Sequence, residues 1–160
     1  MAAALSHVRR RRPKLSTARE ILIRLPGGRR VEASVGVHLV RTDQPRENGG
    51  EDTAPSPFDL FLASLGTCAG IFVQGFCARR GIPFEGIVVR ETVAFDTEDI
   101  LRTVRLDLEL PPGFPEKYRE ALIRAVEQCS VKRAISAQPA FEVRTLSAAK
   151  GTTAEVGVAD

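Results

Sequence analysis

The chain has 160 residues, 43% of them apolar, and a net charge of +3, which suits one domain with a real core. Three cysteines are a poor disulfide framework for a secreted protein, and Met1-Ala2-Ala3-Ala4 has no apolar signal-peptide core, so a cytoplasmic protein with reduced or reactive thiols is expected. The charge is uneven: residues 1–19 hold Arg9, Arg10, Arg11, Arg12, Lys14 and Arg19 with no acid, leaving −3 for the remainder. This reads as a flexible, solvated basic arm over residues 1–17. Such an arm can bind nucleic acid or anionic lipid electrostatically, which leaves a nucleic-acid-associated protein as a further reading, but no aromatic residue interleaves its arginines, so single-strand stacking is not suggested and nucleic acid is not the expected partner.

Residues 18–25 read as a strand, and Pro26-Gly27-Gly28 as a turn. Residues 29–41 alternate, with Val31, Ala33, Val35, Val37 and Leu39 on one face, as a strand pair or one bent strand with Gly36 at the bend. Residues 42–54 are polar and read as a loop. Ser56-Pro57 opens a central helix, since Ser caps free amides, Pro suits the first helical position and Asp59 faces the positive end of the dipole. The helix is apolar nearly all round to Phe76, with Arg79-Arg80 in its last turn and Gly81 and Pro83 to stop it.

Residues 60–78 carry no charge and exceed the length of about 18 residues that marks a membrane-span candidate. The run also holds Ser64, Gly66, Thr67, Gly70, Gln74 and Gly75, and amphipathic strands flank it. A buried core helix is expected, with no membrane partner. Residues 86–95 and 101–110 alternate as two strands, the second slipping phase at Thr103-Val104, where a bulge would fit. A second helix starts at Pro115, a short helical turn covers residues 132–135, residues 140–145 read as a last strand, and residues 147–160 as a frayed tail. The folded part, residues 18–146, is α+β with antiparallel sheet. One small domain cannot easily cover a helix that is apolar on every side, so a partner chain is expected.

The chemistry rests on Cys68 and Cys129. Two thiols brought together from distant helices can cycle between dithiol and disulfide, as in a thiol peroxidase. The plainer reading makes both small core residues, as free cysteines often are. Cys68 lies about three turns into its helix and needs a cation from another segment to stabilise its thiolate. Cys129 sits where a helix breaks and restarts, so free amides, Lys132 and Arg133 lie close in sequence. Cys77 follows Cys68 by nine residues, about 900° of helix, which puts the two on opposite faces. There is no Cys-x-x-Cys pair, and His7 and His38 are not spaced as ligands, so neither metal nor cofactor is expected.

The stretch Gly49-Gly50-Glu51-Asp52-Thr53-Ala54-Pro55-Ser56-Pro57-Phe58-Asp59-Leu60-Phe61-Leu62-Ala63-Ser64-Leu65-Gly66-Thr67-Cys68 resembles the first-cysteine motif of the OsmC/Ohr family of osmotically inducible and organic hydroperoxide resistance proteins. Cys129-Ser130-Val131-Lys132-Arg133 resembles its second, Cys-Pro-Val motif. The resemblance covers roughly residues 20–145. It implies antiparallel sheets wrapped around long central helices in an intertwined homodimer. It also implies a cysteine-based peroxidase that reduces organic hydroperoxides in oxidative stress defence, with Cys68 peroxidatic and Cys129 resolving through a disulfide. The reductant would be a dithiol of lipoyl or thioredoxin type. The hydroperoxide-reducing branch carries Glu where this chain has Phe58, and that Glu normally pairs an activating Arg. Phe58-Asp59-Leu60 resembles instead the Tyr-Glu-Leu of a less characterised OsmC-like branch. Asp59 is the nearest acid, and Arg29, after Gly27-Gly28, the first candidate for the cation, with Arg41 and Arg46 behind it. The alternative is a non-catalytic ligand-binding or redox-sensing member.

Overall fold

The computed structural model describes residues 19–146; the arm expected over residues 1–17 and the tail over 147–160 lie outside the described residues. The elements run β-β-β-α-β-β-α-α, joined in two antiparallel sheets, so the α+β class expected from the paired strands holds. The described residues divide into two compact units, before and after a boundary between Ser64 and Leu65 inside the central helix.

In the first unit, β1 (Leu22–Gly27), β2 (Arg30–Val35) and β3 (His38–Thr42) form an antiparallel sheet in chain order. Leu22 lies opposite Ser34, and Val35 opposite His38. The alternating stretch is therefore two strands, divided at Gly36, whose φ of 59° is left-handed and suits a residue without Cβ. The loop that follows is tightly organised. Asp43, 1% exposed, accepts hydrogen bonds from the amides of Gln44 (2.8 Å), Glu51 (3.2 Å) and Thr53 (3.1 Å) and from the Thr53 hydroxyl (2.8 Å). A short 3-10 turn, Arg46–Asn48, ends on Gly49 in the left-handed region. Gly50 packs so closely that a Cβ there would overlap the Gln44 carbonyl.

The central helix, α1 (Pro57–Ala78), starts where Ser56-Pro57 predicts. Ser56 Oγ accepts the Asp59 amide at 3.1 Å, while Asp59 Oδ2 accepts the Ser56 amide at 3.1 Å and its hydroxyl at 2.7 Å. This reciprocal capping box satisfies donors that a helix start leaves free. By length and composition α1 is apolar enough to cross a membrane.

In the second unit, α1 contributes Ala69, Val73, Phe76 and Cys77 to a core completed by Ile82, Phe114, Leu122 and Val126. These residues do the work of a core helix, while Ile71 on another face stays 66% exposed. The helix ends at Ala78, so Arg79 and Arg80 fall just beyond it. The Ile82 amide returns to the Cys77 carbonyl at 3.1 Å across left-handed Gly81, a common helix stop. Strands β4 (Val88–Phe95) and β5 (Leu101–Glu109) pair antiparallel. Ala94 lies opposite Thr103 and Phe95 opposite Leu101, which leaves Arg102 as the extra residue of a bulge. That bulge is the physical cause of the phase slip in the second strand.

A 3-10 turn, Glu116–Tyr118, leads into α2 (Arg119–Val126); Cys129 then breaks the helix, and α3 (Ser130–Ser136) restarts it. The last strand expected over residues 140–145 does not form. Those residues carry no strand pairing, and Phe141 and Val143 are 91% and 96% exposed. Alternation favours a strand only where a ladder partner is present, and none of the described residues supplies one.

Candidate functional site

The second unit brings Cys68 and Cys129 together. Cys129 is fully buried at the junction of α2 and α3, with φ −49° and ψ 124°, outside helical geometry. Its amide bonds the Val126 carbonyl at 3.2 Å. The backbone therefore turns a corner at Cys129, and the first amides of α3 have no carbonyl behind them. Cys68 is partly buried in α1 and accepts a hydrogen bond from the Cys129 thiol. All three cysteines are free thiols.

The two thiols have opposite ionisation preferences. Burial pushes Cys68 up, but the Cys129 hydrogen bond, the Val131 and Ser130 amides and the Lys132 charge together outweigh it, leaving Cys68 below the ordinary thiol range. Burial also pushes Cys129 up, and its hydrogen bond to Cys68 adds to that, against the amides of Lys132 and Val131. At Cys77, burial dominates and Arg80 offsets it only in part, so that thiol is raised. Within the pair, Cys68 is thus the thiol eased toward the thiolate and Cys129 the one held toward its proton, the polarity a nucleophile and its neighbour need.

The sequence places the free amides, Lys132 and Arg133 beside Cys129 and leaves Cys68 in need of a cation from elsewhere. In the structure the same segment serves Cys68. Lys132 is the signal that sequence reasoning held but attached to the neighbouring thiol. The other expected site residues stand in the first unit. Asp59 is engaged in the capping box with Ser56. The Arg29 guanidinium lies along Gly49, where an added Cβ would be 3.6 Å from Nε. Arg41 pairs with Glu32 at 3.1 Å, and Arg46 opens the 3-10 turn. Phe58 forms a ring contact with Phe61 at 5.7 Å between centroids, so this end of α1 presents an aromatic pair.

Beside Cys129, an open groove of about 660 Å³ runs along α3, lined by Ser130, Lys132, Arg133, Ser136 and Glu127. Two cations against one acid give it a positive balance. Among the described residues, no group of three or more His, Cys, Asp or Glu is arranged to hold a metal ion.

Glu91, by contrast, is a residue that sequence reasoning missed. It lies on β4 in phase with Val89 and Val93, the inward face of the hairpin. An acid in the apolar phase of an alternating strand was the signal available for it.

The same fold occurs in solved structures. An osmotic stress induced and detoxification response protein of Psychrobacter arcticus superposes with a TM-score of 0.63 at 20% identity, over 76% of this chain and 91% of that one. An OsmC-like protein of Mycoplasma pneumoniae gives 0.62 at 16% identity, over 76% and 89%. An organic hydroperoxide resistance protein of Vibrio cholerae, with captopril bound in one of its active sites, gives 0.54 at 19%, over 80% and 92%. No curated protein matches the sequence. The family model described as OsmC-like protein matches residues 49–144, more than half the chain and a span that takes in both cysteine motifs; the chain belongs to the OsmC-like protein family.

Proposed function

We propose that the protein is a thiol-dependent peroxidase that reduces organic hydroperoxides through Cys68 and Cys129. The observation that carries this reading is the hydrogen-bonded thiol pair, with Cys68 favoured as thiolate by the amides of Ser130 and Val131 and by Lys132. The Cys68 thiolate attacks the terminal oxygen of the hydroperoxide. The O–O bond breaks, the alkoxide takes a proton and leaves as an alcohol, and Cys68 becomes a sulfenic acid. The Cys129 sulfur, losing its proton, then displaces hydroxide from the Cys68 sulfur, and water and a disulfide result. A dithiol reductant of lipoyl or thioredoxin type returns both cysteines to thiols and is itself oxidised to a disulfide. We place the reaction in the cytoplasm, where thiols stay reduced, and the working form in a homodimer, because apolar side chains such as Leu25, Val37 and Ile71 stand 81%, 95% and 66% exposed on the single chain.

The test is consumption of cumene hydroperoxide with dihydrolipoamide or reduced thioredoxin as electron donor. Wild type should turn over, Cys68→Ser should be inactive, and Cys129→Ser, with the donor left out, should consume one equivalent and stop at a trappable sulfenate. Absence of consumption by wild type above the Cys68→Ser background overturns the reading. The aromatic pair Phe58–Phe61, where the hydroperoxide-reducing branch has an acid, favours one alternative: a non-catalytic member whose thiol pair senses redox state or whose apolar surface holds a ligand. That protein would form the Cys68–Cys129 disulfide with peroxide in a single event yet show no sustained turnover.

A further inference from the structure

We propose that Glu91 is a pH-sensitive latch between the β4–β5 hairpin and α1: its protonated carboxyl seats on Gly66 and holds the hairpin closed, and loss of the proton loosens it. Three observations carry this. Glu91 sits on the inward face of β4 between Val89 and Val93, opposite Leu106 of β5. Its Oε1 is buried and has no hydrogen-bond partner among the described residues. Its Oε2 occupies the space above Gly66, where an added Cβ would stand 2.7 Å away. A glycine inside a helix weakens it unless close packing needs the room; here the carboxyl uses that room.

No other charged side chain of β4 or β5 shares the inward face with Glu91. On β4 and β5 the charged side chains take the outer face as ion pairs: Arg90 with Glu109, Arg105 with Asp107, and Arg102 with Asp96. The titratable groups of α1 within this unit are Cys68 and Cys77. Cys68 follows Gly66 by two residues, about 200° round the helix, with its sulfur on Cys129. Cys77 packs in the core. On α2, Glu120 and Arg124 pair with each other at 3.5 Å, and Arg119 pairs with Glu116. Burial raises the Glu91 carboxyl, the Gly66 amide lowers it in smaller part, and no charged neighbour contributes. A carboxylate left there with one oxygen unsatisfied is costly, whereas the neutral acid is tolerated. The latch seats on the turn of α1 that carries Cys68, so its release loosens the turn that positions that thiol.

The sign follows from linkage. A group whose folded pKa is raised contributes stability that is complete below its unfolded pKa and is lost as pH rises through the folded value. Urea unfolding of the full chain between about pH 5 and about pH 8 tests this. The wild-type midpoint should fall across that interval relative to Glu91→Gln, which keeps the shape and cannot lose a proton, and the gap should widen with pH. Parallel profiles overturn the latch. Should Glu91→Gln not fold, the wild-type Gly66 amide resonance decides alone. It should titrate with a midpoint above the ordinary glutamate range, and a Gly66 amide that titrates within that range, or does not titrate, overturns the proposal.

Discussion

Asp43 and Glu91 are both carboxylates turned away from water, one in each unit of the chain, and their chemistry runs in opposite directions. Asp43 is almost completely buried yet favours its charged form. The Thr53 hydroxyl contributes most, and together with the amides of Thr53, Gln44 and Glu51 it outweighs the effect of burial. Glu91 is less deeply buried and favours its neutral form, because burial is opposed only by the Gly66 amide. Depth does not decide ionisation; the supply of donors does. Cys68 and Cys77 repeat the contrast on a single helix. Three hydrogen bonds and a cation lower the first, while the second is raised among apolar side chains.

The strongest way to break this comparison is to deny Asp43 its donors. Gly50→Ala forces a Cβ into the Gln44 carbonyl, so the loop that delivers the Glu51 and Thr53 amides cannot close. The expected cost is more than about 3 kcal/mol, in the range of severe backbone strain and overpacking, read as a loss of urea midpoint. A variant within about 1 kcal/mol of wild type would show that the donors are not held by this loop.

Asp43→Asn is gentler. Asparagine keeps the shape, but its NH₂ meets donors where a carboxylate oxygen accepted them, so stability at neutral pH should fall. A group with a lowered folded pKa contributes stability above its unfolded pKa and loses it as pH drops through the folded value. Wild type should therefore lose stability steeply below about pH 4, and the variant less steeply. Equal acid slopes in the two proteins would remove Asp43 from the charged side of the comparison.

The smallest effect sharpens the thiol half. Iodoacetamide at neutral pH should label Cys68 about tenfold or more faster than Cys77, since the thiolate is the nucleophile. Lys132→Met should slow Cys68 by about two- to fivefold, because a partly exposed cation acts through screened solvent; the amides of Ser130 and Val131 remain. Mass-spectrometric mapping of the labelled residue checks both. A Cys68 rate untouched by Lys132→Met assigns the whole effect to the amides and the Cys129 thiol.

Much of the fold was legible because its signals are local. Ser56, Pro57 and Asp59 define a helix start by their own chemistry, and the capping box sits where they predict. The bulge at Arg102 shows in the strand as a broken alternation. The strand expected over residues 140–145 failed because alternation reports a face and says nothing about whether a neighbour is present to pair. The loop over residues 42–54 looked merely polar. Nothing local distinguishes Asp43 from Asp52, since only the return of Glu51 and Thr53 makes Asp43 special. At the candidate site, both cysteines and the helix restart were visible in the residues. Which thiol the restart would serve was not, because that depends on how α1 and α3 meet within the second unit.

The corner at Cys129 has an electrochemical consequence. The amides of Ser130 and Val131 and the Lys132 ammonium favour a negative sulfur at position 68. A sulfur bonded to another sulfur carries no such charge, so the same groups do little for an oxidised pair. Whatever stabilises only the reduced form shifts the couple toward a more positive reduction potential. On the proposed function, the segment that favours the Cys68 thiolate therefore also makes a bond between positions 68 and 129 easier to break again, so one short helix start would serve both halves of the proposed cycle.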